Sequence, residues 1–203
     1  RIQSAAAGLP KCLLPVAGKP FLFYVIQYLR QQGIQRFVLA LGFLHEPVHE
    51  FMATNFPGLD YVLSVETEAL GTGGAVKLAS RLCKQQNVLV INADTLFKIN
   101  ITSLADFHFK HDADCSLALK KMENFDRYGI VEINAAGEVI AFKEKKLTAE
   151  GLINGGIYIL NLQAFLLKNL PERFSFEKDY LEKEHAVQKI MALEQNAYFI
   201  DIG

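Results

Sequence analysis

Hydrophobic and polar positions along this chain repeat with two different periods, and the alternation between them predicts its architecture. Residues 20–32 set Phe21, Val25, Ile26 and Leu29 on one helical face, with Pro20 at the first turn and Gly33 as the stop. A strand at 36–41 follows at once. Residues 47–56 read as a second helix, 61–65 as a strand and 74–83 as a third helix, and 87–92 holds the continuous apolar strand Val88-Leu89-Val90-Ile91. This βαβα order predicts an α/β fold with a mainly parallel sheet flanked by helices, because strands covered on both faces lose the in–out alternation of a one-sided sheet. Ligands in such sheets bind beyond the carboxyl ends of the strands, so the segments that follow strands are where chemistry is expected.

After about residue 120 the pattern changes. Ile130-Val131-Glu132-Ile133 and Val139-Ile140-Ala141-Phe142 read as a hairpin with Gly137 in its turn. A strand at 152–160, a helix at 163–169, a mostly helical stretch at 177–193 and a last strand at 197–202 complete a smaller α+β lobe. No repeat or linker divides the sequence, so 1–203 is expected to be one domain, about 1–120 forming one half and about 121–203 the other.

Composition narrows the partners. With 203 residues, 51% of them hydrophobic and 15 of them Phe, the chain has enough apolar surface for a sizeable core. A net charge of -1 gives no general attraction to nucleic acid or anionic lipid, so a phosphate ligand must be met by locally placed Lys or Arg. No apolar run reaches the ~18 residues of a membrane span. Cys12, Cys83 and Cys115 are odd in number and widely spaced, which suits a reducing cytoplasm better than a disulfide framework. The pattern is compatible with a homo-oligomer.

Five places are weighed for chemistry. Leu70-Gly71-Thr72-Gly73-Gly74-Ala75 lies between a strand-like and a helix-like run, where glycines leave backbone N–H groups uncovered for a nucleotide and permit close approach; a plain turn is the structural alternative. Asp94 follows the strand 87–92 and Asp201 ends the last strand. Brought into one crevice, these carboxylates would suit a magnesium ion bound to phosphates, although each alone also reads as a turn or cap residue. Lys11 and Lys19 sit in a proline-punctuated segment read as loop, and are candidate phosphate contacts or simply solvated lysines. His45-Glu46-Pro47-Val48-His49 matches the zinc-hydrolase pattern H-E-x-x-H, but Pro47 would break that helix or mark its first turn, so the match reads as coincidence. His108 and His111, near Asp112 and Asp114, read as a solvated helix face.

Taken in order, Leu9-Pro10-Lys11, Gly18-Lys19-Pro20-Phe21, Leu70 through Ala75, Asn92-Ala93-Asp94, Phe142-Lys143-Glu144-Lys145, Gly151-Leu152-Ile153-Asn154-Gly155-Gly156-Ile157-Tyr158 and Phe199-Ile200-Asp201-Ile202-Gly203 resemble the sugar-1-phosphate nucleotidyltransferases. Through Met122-Glu123-Asn124-Phe125-Asp126-Arg127-Tyr128-Gly129 and Phe174-Ser175-Phe176-Glu177-Lys178 the chain is most similar to the D-glycero-α-D-manno-heptose 1-phosphate guanylyltransferase branch. The resemblance implies a Rossmann-like nucleotidyltransferase fold with a small α+β sugar-binding lobe. It implies GTP and a sugar 1-phosphate as substrates, Lys11 and Arg1 as catalytic cations, and Leu70, Gly71, Thr72, Gly73 and Gly74 at the nucleotide. It further implies Asp94, Gly129, Glu144, Lys145, Asn154 and Gly155 at the sugar phosphate, and Asp94 and Asp201 as ligands of Mg2+.

Two departures stand out. The family opens with a strand and a G-x-G-T-R loop, of which only Arg1 would remain, so roughly a dozen residues are expected to precede it. Ala93 stands where the family carries glycine. The implied reaction is transfer of a nucleotidyl group to the sugar phosphate with release of pyrophosphate, in service of surface-glycan assembly. A mannose 1-phosphate guanylyltransferase and a non-catalytic nucleotide-sugar sensor are the alternatives.

Overall fold

The computed structural model describes residues 8–42 and 44–203, so the role expected of Arg1 lies outside the described residues. A 3-10 turn at Lys11–Leu13 leads into β1 (Pro15–Val16) and β2 (Lys19–Pro20), which pair antiparallel. The sequence reading has this segment as loop because proline cannot donate to a ladder. The hairpin forms nevertheless, because Pro15 and Pro20 face each other at a position that needs no donor: the neighbouring bond runs from Phe21 N–H to Leu14 O at 2.9 Å. Ala17 (φ 46°) and Gly18 (φ 83°) make its two-residue turn.

From here α1 (Phe21–Gln31) buries the predicted Phe21, Val25, Ile26 and Leu29, and β3 (Arg36–Leu41) pairs parallel with β4 (Asp60–Val65) across α2 (Glu46–Asn55). Pro47 sits in the first turn of α2, as its missing N–H favours. Next come α3 (Gly71–Ser80), β5 (Asn87–Ile91), β6 (Thr95–Phe97) and α4 (Ile101–Lys110), whose first turn is capped by Asn100 Oδ1 accepting Ser103 N–H. The second half holds the long strands β7 (Cys115–Phe125) and β10 (Thr148–Asn161) around the hairpin β8 (Ile130–Ile133) and β9 (Val139–Lys143). It closes with α5 (Leu162–Leu166), a π-helical turn at Phe176–Leu181 running into α6 (Glu182–Glu184), β11 (Ile190–Glu194) and β12 (Phe199–Asp201).

The main sheet runs β11-β7-β10-β8-β9, with β5 also paired to β10. The α/β class expected from the sequence is what forms, with helices packed on a central sheet, but the pairing is mixed: β3/β4 and β11/β7 are parallel, and the other ladders are antiparallel. The stretch 177–193 departs from its expected helix at Glu184. Ile190, Met191 and Ala192 instead add a parallel strand to β7, where all three are buried, and that tertiary pairing outweighs local propensity.

β10 determines where the site lies. Its first half borders β8 at Ile153, and its second half borders β5 from Ile157 to Asn161, so the strand changes neighbours partway along. At that change its register against β7 slips between Asn154 and Tyr158, a bulge that leaves Gly155 and Gly156 out of the regular ladder. Neither glycine tolerates a substituent. A Cβ on Gly155 would start 2.4 Å from the Phe97 ring, and Gly156 has φ +71°. Beneath the bulge, Tyr158, Phe165, Phe176 and Tyr180 pack as an aromatic cluster, with Phe165 and Tyr180 edge-to-face at 5.0 Å.

Candidate active site

Two carboxylates far apart in sequence meet at one point. β12 pairs antiparallel with β6, setting Asp201 opposite Thr95, immediately after Asp94. Ile202 N–H donates to Asp94 O at 3.0 Å and holds the two segments together beyond the last ladder pair. A Cβ built on Gly203 would stand 2.7 Å from Asp94 Oδ2 and 3.0 Å from Asp201 Oδ1, so both side chains aim at the same small space. Among the described residues no third His, Cys, Asp or Glu joins them. A pair of hard oxygen donors with open space beside them matches how a divalent cation is held when substrate phosphates and water complete its shell.

Tyr128 and Arg127, which the sequence reading does not assign to the site, flank this pair. Tyr128 Oη donates to Asp201 Oδ2 at 2.8 Å, and Gly203 N–H donates to Asp201 Oδ1 at 2.7 Å, so each carboxylate oxygen is oriented by one donor. Burial, reinforced by the Asp201 hydrogen bond, pushes the Tyr128 hydroxyl up to about 12 and keeps it a donor at neutral pH. Arg127 Nη2 reaches Gly203 O at 2.9 Å. The signal for Tyr128 was its place next to Gly129, whose packing on Lys143 is so close that a Cβ would meet Lys143 O at 2.5 Å.

The glycine segment differs from the uncovered loop that its sequence suggests. Gly71 through Ala75 already belong to α3, and its early N–H groups are partly used: Gly73 and Gly74 N–H both point to Phe174 O, at 3.0 and 3.4 Å. Leu70 N–H donates to Glu66 Oε2 at 3.2 Å and Leu70 O accepts from Phe174 N–H at 3.0 Å. The glycines are required by this docking. A Cβ would fall 2.6 Å from Phe174 O at Gly71, 2.2 Å from the Phe174 ring at Gly73 and 2.3 Å from Glu172 O at Gly74. Gly71 and Thr72, as the first two helical positions, retain N–H groups without a partner in the helix itself.

On the other wall, Asn154 Oδ1 accepts Gly156 N–H at 3.0 Å and Asn154 Nδ2 donates to Tyr158 Oη at 2.8 Å, which fixes its amide at the bulge. Asn92, just before Asp94, lies under Gly156 and donates its N–H to Gly156 O at 2.9 Å. Asn154 and Gly155 are thereby tied to the Asp94 turn. Glu144 and Lys145 lie exposed in the β9–β10 connection, next to the Lys143 backbone on which Gly129 packs.

Lys11 is exposed in its 3-10 turn, and its neighbour Cys12 lies close enough to Asp94 to feel its charge. Burial first, and that charge after it, push the Cys12 thiol up to about 11. A cavity of about 460 Å³ between the facing edges of β3 and β5 opens to Cys12, Thr72, Ala93 and Glu177. Lys19 is drawn elsewhere, with its ammonium 3.8 Å from the centre of the Phe23 ring. His45 is the N-cap of α2 and His49 its fourth residue, with the His49 ring edge-on to Tyr61 at 6.4 Å. His108, expected on a solvated face, is buried: Ser116 Oγ donates to its Nδ1 at 2.9 Å, and its Nε2 donates to Asn87 Oδ1 at 3.1 Å. Two strands facing α4 supply those partners, a fact that helix periodicity cannot carry.

A mixed α/β fold with paired carboxylates at the end of its sheet and a glycine-started helix across the crevice is the architecture of a nucleotide-transferring enzyme, and the chain belongs to the nucleotidyl transferase family, whose pattern matches residues 3–203. Its relatives are more particular. A D-glycero-alpha-D-manno-heptose 1-phosphate guanylyltransferase of Aneurinibacillus thermoaerophilus is 45% identical over 203 residues, spanning all of this chain and 88% of that protein. One with the same name from Campylobacter jejuni is 39% identical over all of this chain and 89% of that protein. The crystal structure of HddC from Yersinia pseudotuberculosis complexed with GMP-PN superposes with a TM-score of 0.87 at 31% identity, covering all of this chain and 88% of that one.

Proposed function

We propose that this protein transfers GMP from GTP to D-glycero-α-D-manno-heptose 1-phosphate, forming GDP-heptose and releasing pyrophosphate. The observation that carries the reading is the convergence of Asp94 and Asp201, joined by similarity along all of this chain to proteins named D-glycero-alpha-D-manno-heptose 1-phosphate guanylyltransferase. An oxygen of the sugar phosphate attacks the α-phosphorus in line, the new P–O bond forms, and the bond from the α-phosphorus to the bridging oxygen breaks, sending its electrons into pyrophosphate. The attacking oxygen is already anionic, so no general base is needed and catalysis consists of alignment and charge neutralisation.

Asp94 and Asp201 hold Mg2+ in this reading; the bound ion would offset repulsion between the two phosphates and stabilise charge on the transferring group. Their geometry fits it, since two carboxylates and substrate oxygens suit a small hard cation that keeps part of its water shell. Lys11 supplies a positive charge from the turn beside Asp94. The first turn of α3, from Leu70 to Gly74, receives the guanine nucleotide, about 1–120 being the nucleotide half. Asn154, Gly155, Gly129, Glu144 and Lys145 surround the sugar phosphate in the half from about 121 to 203. Three free cysteines suit work in a reducing cytoplasm, and the product suits assembly of a surface polysaccharide.

The test pairs each nucleoside triphosphate with heptose 1-phosphate or mannose 1-phosphate in Mg2+, following pyrophosphate and nucleotide sugar. Turnover confined to GTP with heptose 1-phosphate is expected. Preference for mannose 1-phosphate would correct the sugar, and binding of nucleotide sugar without turnover under any pairing would overturn the enzymatic reading in favour of a sensor.

A further inference from the structure

One carboxylate is engaged by neither the fold's ion pairs nor the chemistry above. Glu177 Oε2 accepts from Thr72 Oγ1 at 2.8 Å and from Ser175 Oγ at 3.1 Å, and its Oε1 faces Tyr158 Oη at 3.5 Å. No ion pair among the described residues includes it. Thr72 is doubly bound, since its Oγ1 also accepts Phe176 N–H at 2.8 Å. Tyr158, 1% exposed, accepts from Asn154 Nδ2 at 2.8 Å, and burial together with the charge of Glu177 holds its hydroxyl well above the ordinary phenol range, so it remains protonated. A continuous line of polar contacts therefore runs from Asn154 at the β10 bulge, through Tyr158 and Glu177, to Thr72 in the first turn of α3.

We infer that Glu177 is a positioning residue that sets the distance and orientation between the two substrate subsites, coupling the glycine turn of α3 to the bulge of β10. This inference rests on the proposed transferase reading, which puts the nucleotide at one end of the line and the sugar phosphate at the other. The physical reason for a carboxylate here is that its two oxygens offer more acceptor sites than any other side chain and carry no donor, and its charge-assisted bonds are stronger than neutral ones. Backbone bonds and close packing on Phe174 fix the glycines of the α3 turn, and the Thr72 side chain between them is held by two partners, Glu177 Oε2 and Phe176 N–H, of which only Glu177 leads on to the β10 bulge. In-line transfer is sensitive to displacements of about 1 Å between reactants, which makes such a brace consequential without touching either substrate.

Steady-state kinetics of Glu177→Ala and Glu177→Gln test this. The Ala variant is expected to raise KM for both substrates and lower kcat/KM about tenfold or more, the loss expected when charge-assisted bonds disappear. The Gln variant, which keeps an accepting oxygen, should recover part of it. Adding Thr72→Val to Glu177→Ala should cost little further, since both act through one contact. A merely structural role predicts a lower unfolding midpoint and a smaller active fraction with both KM values unchanged, and that result, or additive effects in the double variant, would overturn the inference. Should Glu177→Ala fail to fold, Tyr158→Phe removes one hydroxyl from the line and must raise KM for the sugar phosphate; an unchanged KM there would also overturn it. An inactive wild-type protein would instead strike the transferase reading itself.

Discussion

Replacing Tyr128 by Phe deletes a single hydroxyl from the carboxylate pair and leaves the ring in place. That hydroxyl donates to Asp201 Oδ2 at 2.8 Å, whereas Oδ1 keeps its bond from Gly203 N–H. A hydrogen bond to a charged acceptor contributes about 1.5–3 kcal/mol when buried. Tyr128 is only partly buried, so water replaces some of the lost bond and the loss falls to the bottom of that range, about 1.5 kcal/mol or roughly tenfold in affinity. This agrees with the roughly 10–100-fold loss that follows removal of a partner orienting a metal ligand. The assay is pyrophosphate release against Mg2+ concentration. The half-saturating Mg2+ should rise about tenfold, with kcat at saturating Mg2+ within about threefold of the parent protein. A lowered kcat at every Mg2+ concentration with unchanged half-saturation would refute the reasoning, because it would make Tyr128 a contact to substrate rather than to the ligand Asp201.

Asp94→Asn should leave the unfolding midpoint near that of the parent and reduce kcat by roughly 10²-fold or more, as loss of a preorganised charge at the reacting group does elsewhere; turnover near normal would remove Asp94 from the site. Gly73→Ala places a methyl 2.2 Å from the Phe174 ring, which is buried and cannot swing away, so a loss of about 1–3 kcal/mol in chemical denaturation is expected, with a raised KM for nucleotide. Burial lowers the His108 pKa below its ordinary 6.5, opposed in part by Asp114 and Asp112. The unfolded chain then takes up a proton that the folded imidazole refuses, so stability is full above pH 6.5 and declines as pH falls, by at most about 1.4 kcal/mol per pH unit. Urea unfolding at pH 7.5 and 5.5 measures the difference, which His108→Gln should flatten.

The elements legible in the sequence are those whose own residues carry the pattern. The face of α1, the strands β3 and β5 and the stop at Gly33 need only local spacing. Prolines and glycines were read less well, since their meaning depends on what lies opposite. The Pro15 and Pro20 pair is tolerated in a hairpin because of its register, and Gly73 is needed because Phe174 is there. The 177–193 stretch shows the same limit, with Ile190–Glu194 made a strand by an available edge of β7.

The candidate site divides along the same line. By itself the sequence determined which residue types stand in which order: a lysine in the opening turn, a glycine run before a helix, an aspartate after a strand, an asparagine–glycine pair and a strand-ending aspartate. Spacing along a chain carries no information about distance across it. Only the tertiary structure decided that Asp94 and Asp201 face one point, through pairing of β12 with β6, and that Tyr128 orients one of them. It likewise decided that the glycine turn spends much of its hydrogen bonding on Phe174, and that Glu177 spans the crevice from Thr72 to Tyr158. Each of those contacts joins segments remote in sequence, brought together by pairings such as β12 on β6 and by the change of neighbours along β10, which no local spacing encodes.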